Sequence, residues 1–273
     1  MKTFQGTAAL VTGASKGLGT AYAAELARRG AHLVLVARSR DALEDLAARL
    51  REAHGVRVEV ITADLGDPAG PAHVVAELGE RGIEVDLLLN NAGLGSVGPF
   101  LDRPLEQHLV SVDVNIGGLV ALTQLLGGRM LARGRGGIVN IASTAAFQPM
   151  PYQASYAATK AFVLSFSEAL AAELRGSGVT VMAAHPGAVA TGFFDGTTAT
   201  IDPRRADTPE RVAARTLDDF ARGRHVSYPG RAVNRVGTLV SRLLPRRATT
   251  ALVGRLNRGL GLDRVADVET PAT

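Results

Sequence analysis

The sequence of 273 residues contains no cysteine and no tryptophan, and aromatic residues make up only 4% of it. The absence of cysteine excludes a disulfide framework, a thiolate metal site and a cysteine nucleophile. The first apolar run, residues 8–11, is short and ends at a glycine-rich turn. A signal peptide needs about 7–15 consecutive apolar residues and a membrane span about 20. We therefore expect this run to be neither, and a cytoplasmic setting is consistent with the composition.

Lysine is scarce as well. Lysine and arginine together number 30, and the lysines are Lys2, Lys16 and Lys160. The net charge of +4 favours anionic partners, although the distribution of charge matters more than its sum. The histidines and carboxylates lack the spacing of metal ligands, so we expect no metal site. We also expect no nucleic-acid binding, because aromatic residues do not interleave with the basic ones.

Short apolar runs alternate with longer amphipathic or alanine-rich stretches. The runs predict strands at residues 8–11, 32–37, 57–62, 86–89, 137–141 and 179–184, with a seventh at 225–228. The stretches predict helices at residues 18–29, 40–54, 68–81, 105–133, 154–175 and 209–222. Such alternation is typical of a parallel sheet with helices on both faces. We predict the α/β class, with a doubly wound parallel sheet (Rossmann fold) over residues 1–230 and a basic helical extension over 231–273.

The loop between the first strand and the first helix is rich in glycine. Glycine permits a tight turn and a close approach of the backbone to a ligand, and the start of the helix offers free N–H groups to a phosphate. In this position the loop predicts a dinucleotide site. The expected contacts are Gly13, Ser15, Lys16, Gly17, Leu18 and Gly19.

The end of the second strand selects between dinucleotides. A carboxylate there would bind the ribose 2′-hydroxyl of NAD. This chain has Arg38 instead, with no acidic residue beside it, and Lys16 lies in the glycine-rich loop. Two cations without a competing carboxylate suit a 2′-phosphate, so we predict NADP(H). The alternative is that Arg38 is a solvated loop charge.

Two further loops follow predicted strands at the same edge of the sheet, where ligands bind in such folds. Asp64, next to Leu65, could accept a hydrogen bond from an adenine amine or could cap a turn. Asn91, Ala92 and Gly93 follow the fourth strand and are expected cofactor contacts. An ordinary asparagine-rich turn is the alternative for this second loop.

Tyr156 and Lys160 lie four residues apart in an alanine-rich helical stretch. Side chains at i and i+4 share one helix face, about 5–6 Å apart at Cβ. Lowering a phenol pKa from about 10 to about 7 needs roughly 4 kcal/mol, which a cation about 4 Å away supplies at an effective dielectric constant near 20. The spacing therefore predicts that Lys160 lowers the pKa of Tyr156 and makes it a general acid and base. The alternative is an accidental pair.

Together these residues resemble the short-chain dehydrogenase/reductase family over roughly residues 5–195. The shared motifs are Thr12-Gly13-x-x-x-Gly17-x-Gly19, Asn90-Asn91-Ala92-Gly93, Asn115, Ser143, Tyr156-x-x-x-Lys160 and Pro186-Gly187. The resemblance implies that Tyr156 exchanges the proton and that Ser143 binds the substrate oxygen. It also implies that Lys160 binds the nicotinamide ribose and that Asn115 holds a water of a proton relay.

The resemblance has two further implications. The nicotinamide carboxamide would lie against Pro186, Gly187, Val189 and Thr191. The chain would form a homo-dimer or homo-tetramer through the helices that carry Asn115 and Tyr156. Without the Tyr156–Lys160 pair, Ser143 could equally be a polar strand-end residue and Asn115 a solvent-facing one. His185 is expected to be structural.

The C-terminal part has an unusual distribution of charge. Residues 222–262 contain nine arginines and no aspartate or glutamate, and apolar residues recur there at helical spacing. A basic amphipathic helix pair can lie on an anionic membrane surface. Alternatively, the apolar face packs over the substrate cleft or against another subunit. We expect the polar stretch 197–207 to form a mobile lid over the substrate.

The sequence thus predicts an NADP(H)-dependent oxidoreductase that interconverts a ketone and a secondary alcohol, in the direction of ketone reduction. Phe147, Met150, Phe193 and Phe194 flank the expected site and favour an apolar or acyl-chain substrate, unless they belong to the core. The alternative function is a non-catalytic NADP-binding sensor or scaffold whose basic tail contacts a membrane or a partner. We expect a cytoplasmic location, with peripheral contact to the inner membrane surface left open.

Overall fold

The computed structural model describes residues 3–195, 197–199, 204, 206–266 and 268, without the side chains of Phe194, Val240 and Arg242. Its centre is a seven-stranded parallel sheet in the order β3-β2-β1-β4-β5-β6-β7. The strands are β1 Ala8–Thr12, β2 His32–Ala37, β3 Val58–Thr62, β4 Leu87–Asn90, β5 Gly136–Ile141, β6 Val179–Ala184 and β7 Val226–Ser227. The chain moves outward from β1 to β3 and then returns to β4 beside β1. The crevice where ligands bind in such sheets therefore lies at the carboxyl ends of β1 and β4.

Helices cover both faces of the sheet. They are α1 Gly17–Arg28, α2 Arg40–His54, α3 Gly70–Glu80, α4 Leu105–Val112, α5 Leu119–Ala132, α6 Ala154–Glu173, α7 Pro209–Ala221, α8 Ala232–Leu243 and α9 Arg246–Gly259. The predicted α/β class and Rossmann fold are confirmed, and the domain boundary at residue 230 stays a prediction. The single helix predicted over 105–133 is wrong in one respect, because a π-helical turn, Asp113–Gly118, separates α4 from α5.

The core consists of two layers because the central strands bury both of their faces. Val11 and Leu89 point into one layer, which also contains buried residues of α1, α2 and α7. Leu10 and Leu88 point into the other layer, against α3 and α5. Because both faces of these strands are buried, their sequences are continuous apolar runs rather than alternating apolar and polar residues.

The helical segment Leu105–Ala132 is, within the described residues, the stretch that could cross a membrane by length and composition. Its residues Leu122, Leu126 and Met130 are buried in the same core layer as Leu10 and Leu88 of the sheet. A core helix of a globular protein has this composition, so the segment carries no further conclusion.

Candidate active site

The glycine-rich loop between β1 and α1 is packed so closely that only glycine fits at two of its positions. Gly13 has a left-handed φ of +65°, and a Cβ on it would lie 2.9 Å from the Cα of Ala92. A Cβ on Gly19 would lie 2.1 Å from the carbonyl oxygen of Gly13. No side chain can occupy these spaces without moving backbone atoms. The loop therefore brings main-chain groups, rather than side chains, to the edge of the sheet.

The loop after β4 is tied directly to the end of β1. The Thr12 hydroxyl accepts hydrogen bonds from the main-chain N–H groups of Asn91 and Ala92, both at 2.9 Å. The Asn91 side chain donates in return to the carbonyl of Thr12, also at 2.9 Å. Asn91 is thus a structural link between the two loops. Its predicted contact with a cofactor stays a prediction.

The residues present fit a bound dinucleotide. Helix α1 begins at Gly17, and its N-cap residue Lys16 makes no side-chain capping hydrogen bond within the described chain. The first N–H groups of α1 are therefore available to a phosphate. A Cβ on Gly17 would lie 3.2 Å from the Cβ of Thr191, so the glycine-rich loop faces the loop after β6. The two loops form the walls of an open cradle.

Basic side chains lie where the second strand ends. Arg38 follows β2 and is exposed, as is Lys16. The Arg38 guanidinium lies 3.9 Å from a carboxylate oxygen of Asp64, and both side chains are at least half exposed. Asp64 also accepts a hydrogen bond from the N–H of Gly66 at 2.9 Å, so it does cap the turn after β3. Leu65 is buried between this turn and the π-helical turn.

Tyr156, Lys160 and Ser143 are brought together by α6 and the end of β5. The Lys160 ammonium is buried and donates to the carbonyl of Ile141 at 2.8 Å. It lies 5.8 Å from the centre of the Tyr156 ring. Ser143, two residues beyond Ile141, is buried and accepts from the N–H of Ala145 at 3.1 Å. These three side chains therefore occupy one corner of the cleft.

Burial dominates the titration of both Tyr156 and Lys160. Burial raises the pKa of Tyr156 to about 12, and the neighbouring Ser143 hydroxyl lowers it only in part. Burial also lowers the pKa of Lys160 to about 8. The predicted lowering of the Tyr156 pKa by Lys160, which concerns the site beside a bound nicotinamide, stays a prediction. Here desolvation outweighs the charge, and the ammonium is bonded to a carbonyl.

Asn115 does not face solvent. It lies in the π-helical turn, where its amide donates to the Leu94 carbonyl at 2.9 Å and to the Thr159 hydroxyl at 2.9 Å. Its side-chain oxygen accepts from the N–H of Leu94 at 2.8 Å. A Cβ on Gly93 would lie 3.2 Å from that oxygen and 3.4 Å from the Lys160 ammonium. Asn115 therefore joins the loop after β4 to α6, immediately beside Lys160.

Asn140 and His108, two buried polar residues that sequence reasoning missed, hold α6 in place. Asn90 donates to Asn140 at 2.9 Å, and Asn140 donates to Ser167 of α6 at 2.9 Å. His108 of α4 bonds through Nδ1 to the hydroxyl of Ser155 at 2.8 Å, one residue before Tyr156. The sequence did offer one signal, because Asn140 lies within an apolar strand run, where burying an unpaired amide would cost free energy.

The aromatic residues named from the sequence have different surroundings. The Phe193 ring meets the Tyr156 ring edge-on at 5.1 Å, so it lies at the site. Phe147 packs instead on His185 and Tyr228, at 5.0 and 6.0 Å between ring centres. His185 is buried in this cluster, as expected of a structural histidine. Met150 is half-buried, and the Phe194 side chain lies outside the described residues.

The loop after β6 is held from both sides. The carbonyl of Pro186 accepts from the N–H of Thr144 at 3.0 Å, which places this loop next to Ser143. Val189 pairs in a short parallel bridge with Asp207. A Cβ on Gly187 would lie 2.2 Å from the amide nitrogen of Asn234 in α8. Helix α8 is thus packed against the loop predicted to bind the nicotinamide.

The sheet is doubly wound and carries a glycine cradle at its carboxyl edge, together with a tyrosine, a serine and a lysine. These features define the class of dinucleotide-dependent oxidoreductases. The sequence profile described as short chain dehydrogenase matches residues 7–202. The chain belongs to the short-chain dehydrogenase/reductase family and is an oxidoreductase acting on CH–OH or C=O groups.

Two curated relatives carry the name very-long-chain 3-oxoacyl-CoA reductase. The protein from Anas platyrhynchos is 36% identical over 216 residues, which are 78% of this chain and 69% of the relative. The B form from Danio rerio is 32% identical over 263 residues, which are 94% of this chain and 81% of the relative. The similarity therefore extends through most of both proteins.

Solved structures show the same architecture. A short-chain dehydrogenase from Sphingobium yanoikuyae in complex with NADPH is 37% identical, with a TM-score of 0.78 over 87% of this chain and 93% of the other. A bulky-bulky ketone specific alcohol dehydrogenase from Comamonas testosteroni is 34% identical, with a TM-score of 0.76 over 87% and 91%. Both similarities reach well beyond the nucleotide-binding half.

Proposed function

We propose that this chain is an NADP(H)-dependent reductase of bulky apolar ketones. The observation that carries the proposal is the grouping of Tyr156 and Ser143 above a buried Lys160, beside a cradle that only glycine can form. A tyrosine hydroxyl and a serine hydroxyl in one corner can both bond to one carbonyl oxygen. A dinucleotide-binding module without chemistry would have no use for a tyrosine hydroxyl beside a serine hydroxyl at this position.

The preference for NADP(H) rests on charge. Arg38 and Lys16 are both exposed at the edge where the adenosine end of a dinucleotide would lie, and the end of β2 carries no carboxylate. Two cations favour the 2′-phosphate of NADP(H), whereas the ribose 2′-hydroxyl of NAD needs a hydrogen-bond acceptor. The structural neighbour from Sphingobium yanoikuyae holds NADPH, which agrees with this assignment.

The chain's own residues supply the proton and the orientation. Bound NADPH supplies the hydride to the carbonyl carbon. The Tyr156 hydroxyl donates a proton to the carbonyl oxygen while Ser143 hydrogen-bonds the same oxygen. Burial raises the pKa of Tyr156 to about 12, so the phenol carries its proton at neutral pH, and transfer of that proton depends on stabilisation of the phenolate. Lys160, with a pKa of about 8, is charged there and favours the phenolate left behind.

The substrate class is proposed from the walls of the cleft and from the relatives. Phe193 lies against the Tyr156 ring, so an apolar group is close to the expected position of the reacting carbonyl. The curated relatives are named for very-long-chain 3-oxoacyl-CoA, and one structural neighbour for bulky ketones. A ketone with a large apolar substituent suits both observations.

We also propose a homo-oligomer in the cytoplasm. Leu105 and Leu109 of α4 and Phe162 of α6 expose apolar side chains on the helices that carry the site. Exposed apolar side chains of this kind suit a subunit interface. A dimer or tetramer built on these helices would cover it, and a mass measurement in solution decides between those states.

The test is an absorbance assay with purified protein, NADPH and two series of ketones. One series carries a second substituent of increasing bulk, and the other consists of 3-oxoacyl thioesters of increasing chain length. We expect NADPH oxidation with kcat/KM rising along at least one series, and a preference of at least tenfold over NADH. Tight NADPH binding without turnover on any member would contradict the proposal and support the sensor alternative.

A further inference from the structure

Helix α8 presents four apolar side chains to solvent and buries the polar side chain of Thr238. Val233, Val236, Leu239 and Leu243 are exposed, with Leu243 85% accessible. Thr238, between them in sequence, is only 2% accessible. A helix that packs on a globular core has the opposite arrangement. The apolar face of α8 is therefore not explained by packing within this chain.

Helix α9 repeats the arrangement. Leu252 and Leu256 recur four residues apart and are exposed, whereas Thr249, Gly254 and Asn257 are buried. The inward face consists of small and polar residues, which allow a close approach to the loop before α6. A Cβ on Gly254 would lie 3.2 Å from the Pro151 ring. Both helices thus turn their larger apolar residues away from the protein.

Specific hydrogen bonds hold the helices in this orientation. The N–H of Arg231 donates to the Asp207 carboxylate at 3.0 Å at the start of α8. The amide of Asn257 in α9 donates to the carbonyl of Pro151 at 2.8 Å. Because these polar residues bind the body of the protein, rotating either helix to bury its leucines would break the bonds. The outward leucines are a fixed feature of the surface.

Helices α8 and α9 contain arginines but no aspartate or glutamate, whereas Arg222 and Arg224 of the preceding segment pair with Asp219. Residues 222–262 contain nine arginines and no acidic residue. Arg246, Arg247 and Arg255 are exposed on α9, beside the outward leucines. A second copy of the chain would bring the same arginines to a symmetric contact, which disfavours self-association through this face. A surface that is both anionic and apolar complements it.

We propose that the α8–α9 surface binds an anionic lipid bilayer. The name covers two outward faces, which are Val233, Val236, Leu239 and Leu243 on α8 and Leu252 and Leu256 on α9. The apolar side chains enter the boundary between headgroups and acyl chains, and the arginines pair with lipid phosphates. Pro151 and Gly187 connect α9 and α8 to the loops around the site, so docking places the cleft near the bilayer. The proposal does not depend on the reductase activity.

The experiment measures co-sedimentation of the full chain with vesicles. Vesicles of phosphatidylcholine with about one third phosphatidylglycerol are compared with pure phosphatidylcholine. We expect at least tenfold tighter binding to the anionic vesicles, weakened by salt. The double substitution Leu243→Ser and Leu256→Ser, and the pair Arg246→Glu and Arg247→Glu, should each reduce binding at least tenfold. Leu131→Ser, on the exposed end of α5, is the matched control and should bind normally.

Thermal unfolding and NADPH binding of each variant show whether it remains folded, and vesicle binding is read without substrate. Absence of binding to anionic vesicles, or equal binding to both vesicle types, would overturn the proposal. A change in oligomeric state of the Leu243→Ser and Leu256→Ser variant, with vesicle binding unaffected, would overturn it as well. That result would assign the surface to a second copy of the chain.

Discussion

The Lys160 ammonium donates a hydrogen bond to the main-chain carbonyl of Ile141, with 2.8 Å between nitrogen and oxygen. Ile141 ends β5, and Ser143 follows two residues later. The strand that presents Ser143 therefore also fixes the lysine, while burial lowers the pKa of that lysine to about 8. The ligand-free chain holds a charge that its surroundings disfavour.

Replacing Lys160 with methionine should stabilise the ligand-free chain at neutral pH. A pKa of about 8 instead of 10.5 corresponds to about 3 kcal/mol, and the lost hydrogen bond to Ile141 reduces the net gain to about 1–2 kcal/mol. Between pH 8 and 10.5 the unfolded chain binds more protons at this lysine than the folded one. The free energy of unfolding of the wild type therefore rises between pH 8 and 10.5, and the stability advantage of Lys160→Met shrinks over the same range.

Urea unfolding near pH 7 and near pH 10 measures both effects of Lys160→Met. The variant should lose reductase activity at both values. A variant that is less stable than the wild type near neutral pH would contradict the account of a buried, disfavoured charge.

Replacing Gly19 with alanine should abolish NADPH binding or lower stability by more than about 2 kcal/mol, because the new Cβ would meet the Gly13 carbonyl at 2.1 Å. The matched control is Gly79→Ala in α3, where nothing lies within 4 Å of the added atom. That change should stabilise the chain by about 0.5–1 kcal/mol and leave binding unchanged. Fluorescence titration with NADPH and thermal unfolding measure the two effects. Wild-type affinity and stability in Gly19→Ala would refute the description of the cradle.

Replacing Arg38 with aspartate should shift the preference from NADPH towards NADH. Removing a charge-assisted contact worth about 1.5–3 kcal/mol weakens the 2′-phosphate complex about 10- to 100-fold, and the new carboxylate offers an acceptor to a ribose hydroxyl. Arg49→Asp, an equally exposed arginine on α2, changes the net charge by the same amount and should leave the preference unaltered. The ratio of kcat/KM for the two cofactors is the measurement. An unchanged ratio would show that Arg38 is a solvated loop charge.

Replacing His108 with leucine should lower kcat more than it weakens NADPH binding. The imidazole donates from Nε2 to the Phe100 carbonyl at 3.1 Å, so Nδ1 accepts from the hydroxyls of Ser96 and Ser155. Ser155 is adjacent to Tyr156, and losing this bond loosens the first turn of α6. We expect a stability loss of about 1–3 kcal/mol and roughly a tenfold lower kcat.

His108→Gln retains a donor and an acceptor and should restore part of kcat. If His108→Leu lowers stability but leaves kcat unchanged, the histidine supports the fold without positioning Tyr156.

The sequence predicted the fold well because its two signals are local. Apolar runs that bury both faces mark the strands, and loops at strand ends mark the edge where ligands bind. It missed the π-helical turn at Asp113–Gly118, since that segment has no feature that separates it from an α-helix. It did not indicate that burial raises the pKa of Tyr156, because desolvation depends on tertiary packing. Helical periodicity revealed the apolar faces of α8 and α9 but not that they point outward.

The assignment of the proton to Tyr156 is tested most directly by Tyr156→Phe, which removes one oxygen atom. NADPH affinity and single-turnover NADPH oxidation are measured on the same sample, with Tyr152→Phe as the control because the Tyr152 hydroxyl bonds only weakly, at 3.4 Å, to Arg258. We expect NADPH to bind Tyr156→Phe within about threefold of wild type, with oxidation slower by a factor of about 10²–10⁴. Oxidation by Tyr156→Phe at the wild-type rate would contradict the central claim.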